Sequence, residues 1–217
     1  MKINIINKPA SIFNQFIAEL RDRDIQTDPM RFRRNLERIG EIFAYEVSKV
    51  LSYKEKDIQT PLGIAKESVL TDNVVIASIL RAGIPLHNGI LNIFDRSENA
   101  FVSAYRKYDE AGKFEIHIEY ISSPDLNGKT VILADPMLAT GASLELAYRA
   151  LLSKGTPAHV HIVSIIASQA GVDYICKAME REPVTLWLAA VDEELNAKSY
   201  IVPGLGDAGD LAYGSKL

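Results

Sequence analysis

A mostly parallel α/β sheet flanked by helices is the fold class that this 217-residue sequence predicts. Two observations carry it. Short apolar runs, such as Val74–Leu80 and Val131–Ala134, suit strands buried on both faces. Between such runs lie stretches with apolar residues every three or four positions, as at Leu144, Ala147 and Leu151, which is the period of a helix with one buried stripe.

Taken in order, Ile12, Phe13, Phe16, Ile17 and Leu20 share one stripe, so residues 10–21 read as a helix. Asp28-Pro29 then supplies an N-cap and a proline at the first helical position. The helix that follows carries Phe32, Leu36, Ile39, Phe43, Val47 and Val50 on one side. Its other side holds Arg31, Arg33, Arg34, Glu37 and Arg38 and reads as a solvated face. These N-terminal helices occupy about residues 10–52. The run 74–80 is a strand ending at Arg81-Ala82-Gly83, with a helix from about Pro85 to Ile93.

Residues 100–106 and 114–121 alternate apolar and polar around Asp109, Glu110 and Gly112, the pattern of a β-hairpin arm over about 100–121. Phe114, Ile116, Ile118 and Tyr120 are expected on one face, and Glu115, His117 and Glu119 on the other. After the central segment come strand 159–166, helix 171–180 and strand 184–191. The stretch Tyr200–Asp210 breaks the pattern: it is glycine-rich, acidic and non-periodic, and reads as an ordered loop whose backbone makes the contacts. Packed turns share that composition. With no repeat and no low-complexity segment, residues 1–217 are expected to form a single domain.

The chemistry concentrates in Val131-Ile-Leu-Ala-Asp135-Pro-Met-Leu-Ala-Thr140-Gly141-Ala-Ser143, which reads as strand, acid, small-residue loop and helix, stopped at Gly155. Small residues let backbone N–H groups approach an anion, and a helix start adds its dipole. Asp135 repels an anion and suits sugar hydroxyls. Phosphate beside polyol points to a phosphorylated sugar. The segment is neither a Walker A loop nor a G-x-G-x-x-G fingerprint. A plain strand-to-helix turn has the same local pattern, so the motif by itself leaves both readings open.

Hydrophobic content of 47% and charged content of 24% are ordinary for a soluble globular chain. No apolar run reaches the roughly 20 residues of a membrane helix. The N-terminal residues show no export signal, and the single Cys176 cannot form an internal disulfide, so a cytoplasmic protein is expected. A net charge of −4 argues against broad nucleic-acid or membrane-surface binding but leaves room for a small anion.

Three segments carry a family likeness: Ile79-Leu-Arg-Ala-Gly83; Asp135-Pro-Met-Leu-Ala-Thr-Gly141 with Ser143; and Tyr200-Ile-Val-Pro-Gly-Leu-Gly-Asp-Ala-Gly-Asp210. Leu20-Arg-Asp22, Ile39-Gly40, Ala44-Tyr45-Glu46 and Thr60-Pro61-Leu62 add weaker similarity, so it spans nearly the whole chain. The sequence resembles the uracil phosphoribosyltransferase family of the type I phosphoribosyltransferase superfamily. That resemblance implies a type I phosphoribosyltransferase-like sheet with the hairpin arm and a C-terminal base-binding loop at about 199–217. It implies transfer of phosphoribose from 5-phosphoribosyl 1-diphosphate (PRPP) to uracil, giving UMP and diphosphate.

The implied PRPP contacts are Arg81, Arg106, Asp207 and the run Asp135, Pro136, Met137, Leu138, Ala139, Thr140, Gly141, Ala142 and Ser143. Thr140 to Ser143 would cradle the 5-phosphate, and Asp135 would hold ribose hydroxyls. Arg81 would meet diphosphate in a turn around Ala82 that carries a non-proline cis peptide, while Arg106 closes over diphosphate from the hairpin. Ile201, Gly206, Asp207 and Ala208 would read uracil, largely through backbone. Asp207 and Arg106 are the catalytic candidates. Mg²⁺ is the implied cofactor, held by substrate oxygens with a water-mediated link to Asp207. The resemblance also implies a homodimer or larger homo-oligomer; GTP activates some relatives, and the sequence leaves that open for this chain.

Two departures stand out. Ala142 replaces a glycine common in the family, and a methyl at a positive φ would weaken phosphate binding. Ser78 and Ile84-Pro85-Leu86 differ around the Arg81 turn. Elsewhere, His159 and His161 share a strand face without a third ligand, Cys176 reads as a core thiol, and Trp187 as core. The competing function is a pyrimidine-responsive RNA-binding regulator, against which the acidic total weighs. A purine or orotate enzyme is disfavoured by Gly206-Asp207-Ala208.

Overall fold

The structure, a computed structural model, describes residues 1–108 and 114–215, with the side chains of 104–118 outside that description. The chain opens with β1 (Lys2–Ile5), then α1 (Ile12–Arg21) and α2 (Pro29–Ser48). Ser11 caps α1 in a reciprocal box with Asn14, and the Asp28 side chain accepts the Met30 and Arg31 N–H groups at the start of α2. A two-stranded hairpin of β2 (Tyr53–Gln59) and β3 (Ile64–Leu70) follows, apart from the main sheet.

Next come β4 (Val74–Leu80), α3 (Gly83–Ile93), β5 (Glu98–Tyr108), β6 (Phe114–Ser122), β7 (Thr130–Ala134) and the short β8 (Met137–Leu138). The chain continues through α4 (Ala142–Leu152), β9 (His159–Ser168), α5 (Gln169–Ala178), β10 (Val184–Asp192), β11 (Glu194–Leu195), β12 (Ile201–Val202) and α6 (Ala208–Tyr213).

The main sheet runs β1-β10-β9-β7-β4-β5-β6, parallel except for the antiparallel β5–β6 arm. Alternation along each strand splits the core into two layers. Ile76 on β4 and Ile132 on β7 pack towards α1, α2 and α3, whereas Ala77 and Leu133 pack towards α4 and α5. The chain moves from β4 to β5 on one side and from β7 to β9 on the other, so a crevice is expected at the carboxyl ends of β4 and β7.

Several elements depart from the sequence reading. β1 and the β2–β3 hairpin were not anticipated; β1 is only four residues long, and β2–β3 is polar on most of its length. The C-terminal segment is not loop throughout, since α6 occupies Ala208–Tyr213. Six residues are too few to show a helical period. The arginine face of α2 is not simply solvated either. Arg31 makes paired bonds of 2.7 and 2.9 Å to Glu19 on α1, Arg33 donates to the Ala212 carbonyl at 2.6 Å, and Arg38 lies 5.2 Å from the Phe16 ring centroid. Long guanidinium arms reach the helices packed along both flanks. The Arg31 bonds hold the Glu19 carboxyl down at about 2.

The paired histidines are structural. Trp187 Nε1 donates to His161 Nδ1 at 3.2 Å, His159 Nε2 meets Thr185 Oγ1 at 2.9 Å, and burial pushes His161 down to about 4. Among the described residues no set of three His, Cys, Asp or Glu side chains is placed to hold a metal. Trp187 is buried as expected, whereas Cys176 is only half-buried against the core. No helix among the described residues is long and apolar enough to cross a membrane.

Candidate active site

Asp135 leaves β7 at the switch point, and its backbone is fixed on both sides. Its N–H donates to the Val163 carbonyl at 3.1 Å, and its carbonyl accepts the Ser164 hydroxyl at 2.7 Å. The carboxyl accepts the Met137 N–H at 3.3 Å. Burial pushes the group up to about 7, and the Met137 contact offsets only part of this. Among the described residues this half-buried carboxylate has no basic partner, and hydroxyl donors, which a sugar supplies, would stabilise it.

The loop that follows is built to hold its shape. The Pro136 carbonyl accepts the Ile165 and Ile166 N–H groups, each at 3.0 Å. Met137 and Leu138 lie beside β9 as β8, with Leu138 buried. The Ser168 hydroxyl donates to the Ala139 carbonyl at 2.5 Å, and its oxygen caps α5 by accepting the Gly171 N–H at 2.9 Å. Thr140 Oγ1 lies 3.4 Å from the Ala142 nitrogen.

Gly141 then takes φ +86°, and α4 begins at Ala142 with Ser143 in its first turn. Gly141 has no side chain to cap this helix, and apart from the long Thr140 contact to Ala142 its first amides stay available to an anion. The positive φ falls on Gly141 and not on Ala142. Among the described residues only Ser199 is a non-glycine with positive φ, so the concern over a methyl at Ala142 is removed.

Arg81 follows β4, the neighbour of the strand that ends at Asp135, and the Leu80–Arg81 peptide is cis, as the resemblance implies despite the altered flanking residues. Its Nη2 donates to Asp210 Oδ1 at 3.3 Å and to the Gly214 carbonyl at 3.0 Å. These bonds bring the C-terminal segment against the first loop.

Within that segment, Ile201 is buried on β12, Gly206 is exposed at φ +93°, and Asp207 caps α6 by accepting the Asp210 N–H at 2.9 Å. Ala208 is buried at the start of α6. The side chains of Ile201 and Ala208 pack in the core. Arg106 lies on β5 opposite Ile116; its side chain, like the turn at Asp109, Glu110 and Gly112, falls outside the described residues.

Sequence reasoning missed the clamps. Ser164 and Ser168 are polar interruptions in the apolar run of β9, and that was the available signal. Arg21 and Asp192 meet across the chain, and only the faint likeness at Leu20-Arg-Asp22 marked the first of them.

Comparison with known proteins agrees with this geometry. A family model described as uracil phosphoribosyltransferase matches residues 10–215. A uracil phosphoribosyltransferase of Porphyromonas gingivalis is 58% identical over 217 residues, covering 100% of both chains. One of Methanothermobacter thermautotrophicus is 39% identical over 205 residues, covering 94% of this chain and 92% of its own. Among solved structures, a protein of Aquifex aeolicus superposes with a TM-score of 0.86 at 32% identity, covering 99% of each chain. A hypoxanthine phosphoribosyltransferase of Staphylococcus aureus, at 12% identity and TM-score 0.50 over 75% of this chain and 76% of its own, shares the fold.

Proposed function

We propose residue roles from the premise that this chain belongs to the uracil phosphoribosyltransferase family. The enzyme joins uracil to the phosphoribosyl group of PRPP and releases diphosphate, giving UMP. Residues 1–217 act as one catalytic domain. The first amides of α4, with Thr140, Gly141, Ala142 and Ser143, take the 5-phosphate, while the run Pro136 to Ala139 supports them. Asp135 accepts the ribose hydroxyls. Arg81 exchanges Asp210 for diphosphate, and Arg106 closes over the same group. Gly206, Asp207 and the backbone of Ile201 and Ala208 read the edge of uracil. Cytosine presents a donor where uracil accepts, and a mispaired buried group costs about 1–3 kcal/mol.

Mg²⁺ fits this site in one way. With no three-residue ligand set among the described residues, substrate phosphate oxygens and water would hold the ion, and Asp207 would be linked to it through water. When bound, it neutralises charge on the diphosphate. The observation that carries the reading is the uncapped α4 start directly after Asp135, with Arg81 of the adjacent strand held against the base segment. Incubation with PRPP, Mg²⁺ and each nucleobase in turn tests it. UMP from uracil alone supports it; a product from orotate or hypoxanthine instead, or none, overturns it. In this reading the reaction is a cytoplasmic one.

The pH profile gives a second test. The Asp135 carboxyl titrates near about 7 and accepts hydroxyls best when ionised. Acid therefore protonates the acceptor, and kcat/KM for PRPP falls as pH drops through about 7, approaching tenfold per unit below it. Asp135→Asn lowers the plateau and flattens that limb; an unchanged limb refutes the role.

The enzyme also acts as a homodimer or larger assembly. Its β2–β3 hairpin forms a sheet of its own, with Leu62 at the tip 100% exposed and Ile64 69% exposed. An isolated two-stranded hairpin is marginal in water, so a second copy is its natural support. Light scattering should report at least two chains, and Leu62→Glu should shift the protein towards monomer.

A further inference from the structure

One ion pair outside the substrate crevice is tied directly to the base-reading segment. Arg21 is the last residue of α1, and Asp192 the last of β10. Arg21 Nη1 and Nη2 donate to Asp192 Oδ2 and Oδ1 at 2.7 and 2.8 Å, a planar fork on a carboxylate. The Asp192 side chain is 9% exposed and that of Arg21 24%, so the pair is largely shielded from water.

Both partners also hold Gly204. Its N–H donates to Asp192 Oδ2 at 2.9 Å, and its carbonyl accepts Arg21 Nη1 at 3.0 Å. Gly204 has φ +54°, and a Cβ there would stand 2.2 Å from the Ile201 carbonyl oxygen, so the turn accepts no side chain. The clamp therefore sits between buried Ile201 and exposed Gly206, two residues assigned to uracil. Leu205, buried beside it, closes the anchor. Burial raises the Asp192 carboxyl, but Arg21 and the Gly204 N–H override this and leave it below its ordinary value.

We propose that Arg21 and Asp192 are positioning residues for uracil: they fix the Gly204 turn so that the backbone from Ile201 to Ala208 meets the base at hydrogen-bonding distance. The proposal rests on the base-site reading given above. Neither residue touches substrate. Backbone recognition has no side-chain freedom to absorb a displaced turn, because hydrogen bonds weaken steeply with misalignment. Most of the donor site is held separately, by β7, β9 and the start of α4, and Asp207, the assigned donor contact on this segment, is fixed by its own bond to the Asp210 N–H.

Steady-state kinetics of Arg21→Lys and Asp192→Asn, with uracil and PRPP varied separately, test it. Lysine keeps the charge but loses the fork, and asparagine keeps the shape but loses the charge. Each should raise the uracil KM about tenfold, the loss of roughly one well-made bond, while the PRPP KM stays within about twofold. A pair that only stabilises the fold would lower the melting temperature and the active fraction, leaving both KM values unchanged. That result overturns the proposal, as does a parallel rise of both KM values or the failure of both variants to fold. If the wild-type protein makes no UMP, the functional reading itself fails, a separate outcome.

Discussion

Gly141→Ala should weaken PRPP binding by about 30- to 4,000-fold, with calorimetric titration of the donor as the measurement. Two costs combine. Gly141 sits at φ +86°, and holding an L-residue in the left-handed region costs roughly 1–2 kcal/mol. The added methyl would also stand 2.7 Å from Tyr174 Cδ1 and 3.0 Å from Ile175 Cγ1 on α5, and overpacking of this kind costs about 1–3 kcal/mol. The loop relieves both by moving, and the amides at the start of α4 move with it. Ala142→Gly is the control. Ala142 is already helical, so this change should leave donor affinity within about threefold and cost only about 1 kcal/mol of helix stability. Equal affinity in wild type and Gly141→Ala would show that these amides do not hold the phosphate.

The contrast between neighbouring residues 141 and 142 also shows where the sequence was legible. The parallel sheet could be read because its strands are buried on both faces, and runs such as Val74–Leu80 leave no other short element. The Asp135 to Ser143 loop could be read because one short segment holds strand end, acid and helix start. Which of Gly141 and Ala142 takes the positive φ depends on where α4 begins, and helix ends are poorly marked in sequence. β1 escaped notice because its pairing with β10 joins residues from opposite ends of the chain. The arginines on α2 looked solvated because their partners, Glu19 and the Ala212 carbonyl, come from other helices. The Arg21–Asp192 clamp has the same cause: its residues lie 171 positions apart, and only folding makes them neighbours.

Asp207→Asn should lower kcat by about 100- to 1,000-fold, the range expected when a group aimed at developing charge is lost. The structure makes this an unusually clean substitution. Asp207 caps α6 through its Oδ1, which accepts the Asp210 N–H at 2.9 Å, and asparagine caps a helix as well as aspartate does. Helix, turn and side-chain volume therefore survive, and only the negative charge is removed. Asp210→Asn provides the comparison within the same segment. Asp210 reaches Arg81 at 3.3 Å, and both side chains are more than a third exposed, so the pair contributes about 1 kcal/mol or less. Its loss frees Arg81 for diphosphate and should change kcat by no more than about fivefold. Asp207→Ala should add instability to the kinetic loss, because the cap goes too, at about 1 kcal/mol. If Asp207→Asn and Asp210→Asn fall equally, negative charge anywhere on this segment suffices, and Asp207 has no particular place beside the reacting ribose. If only Asp207→Ala is impaired, the residue serves α6 alone.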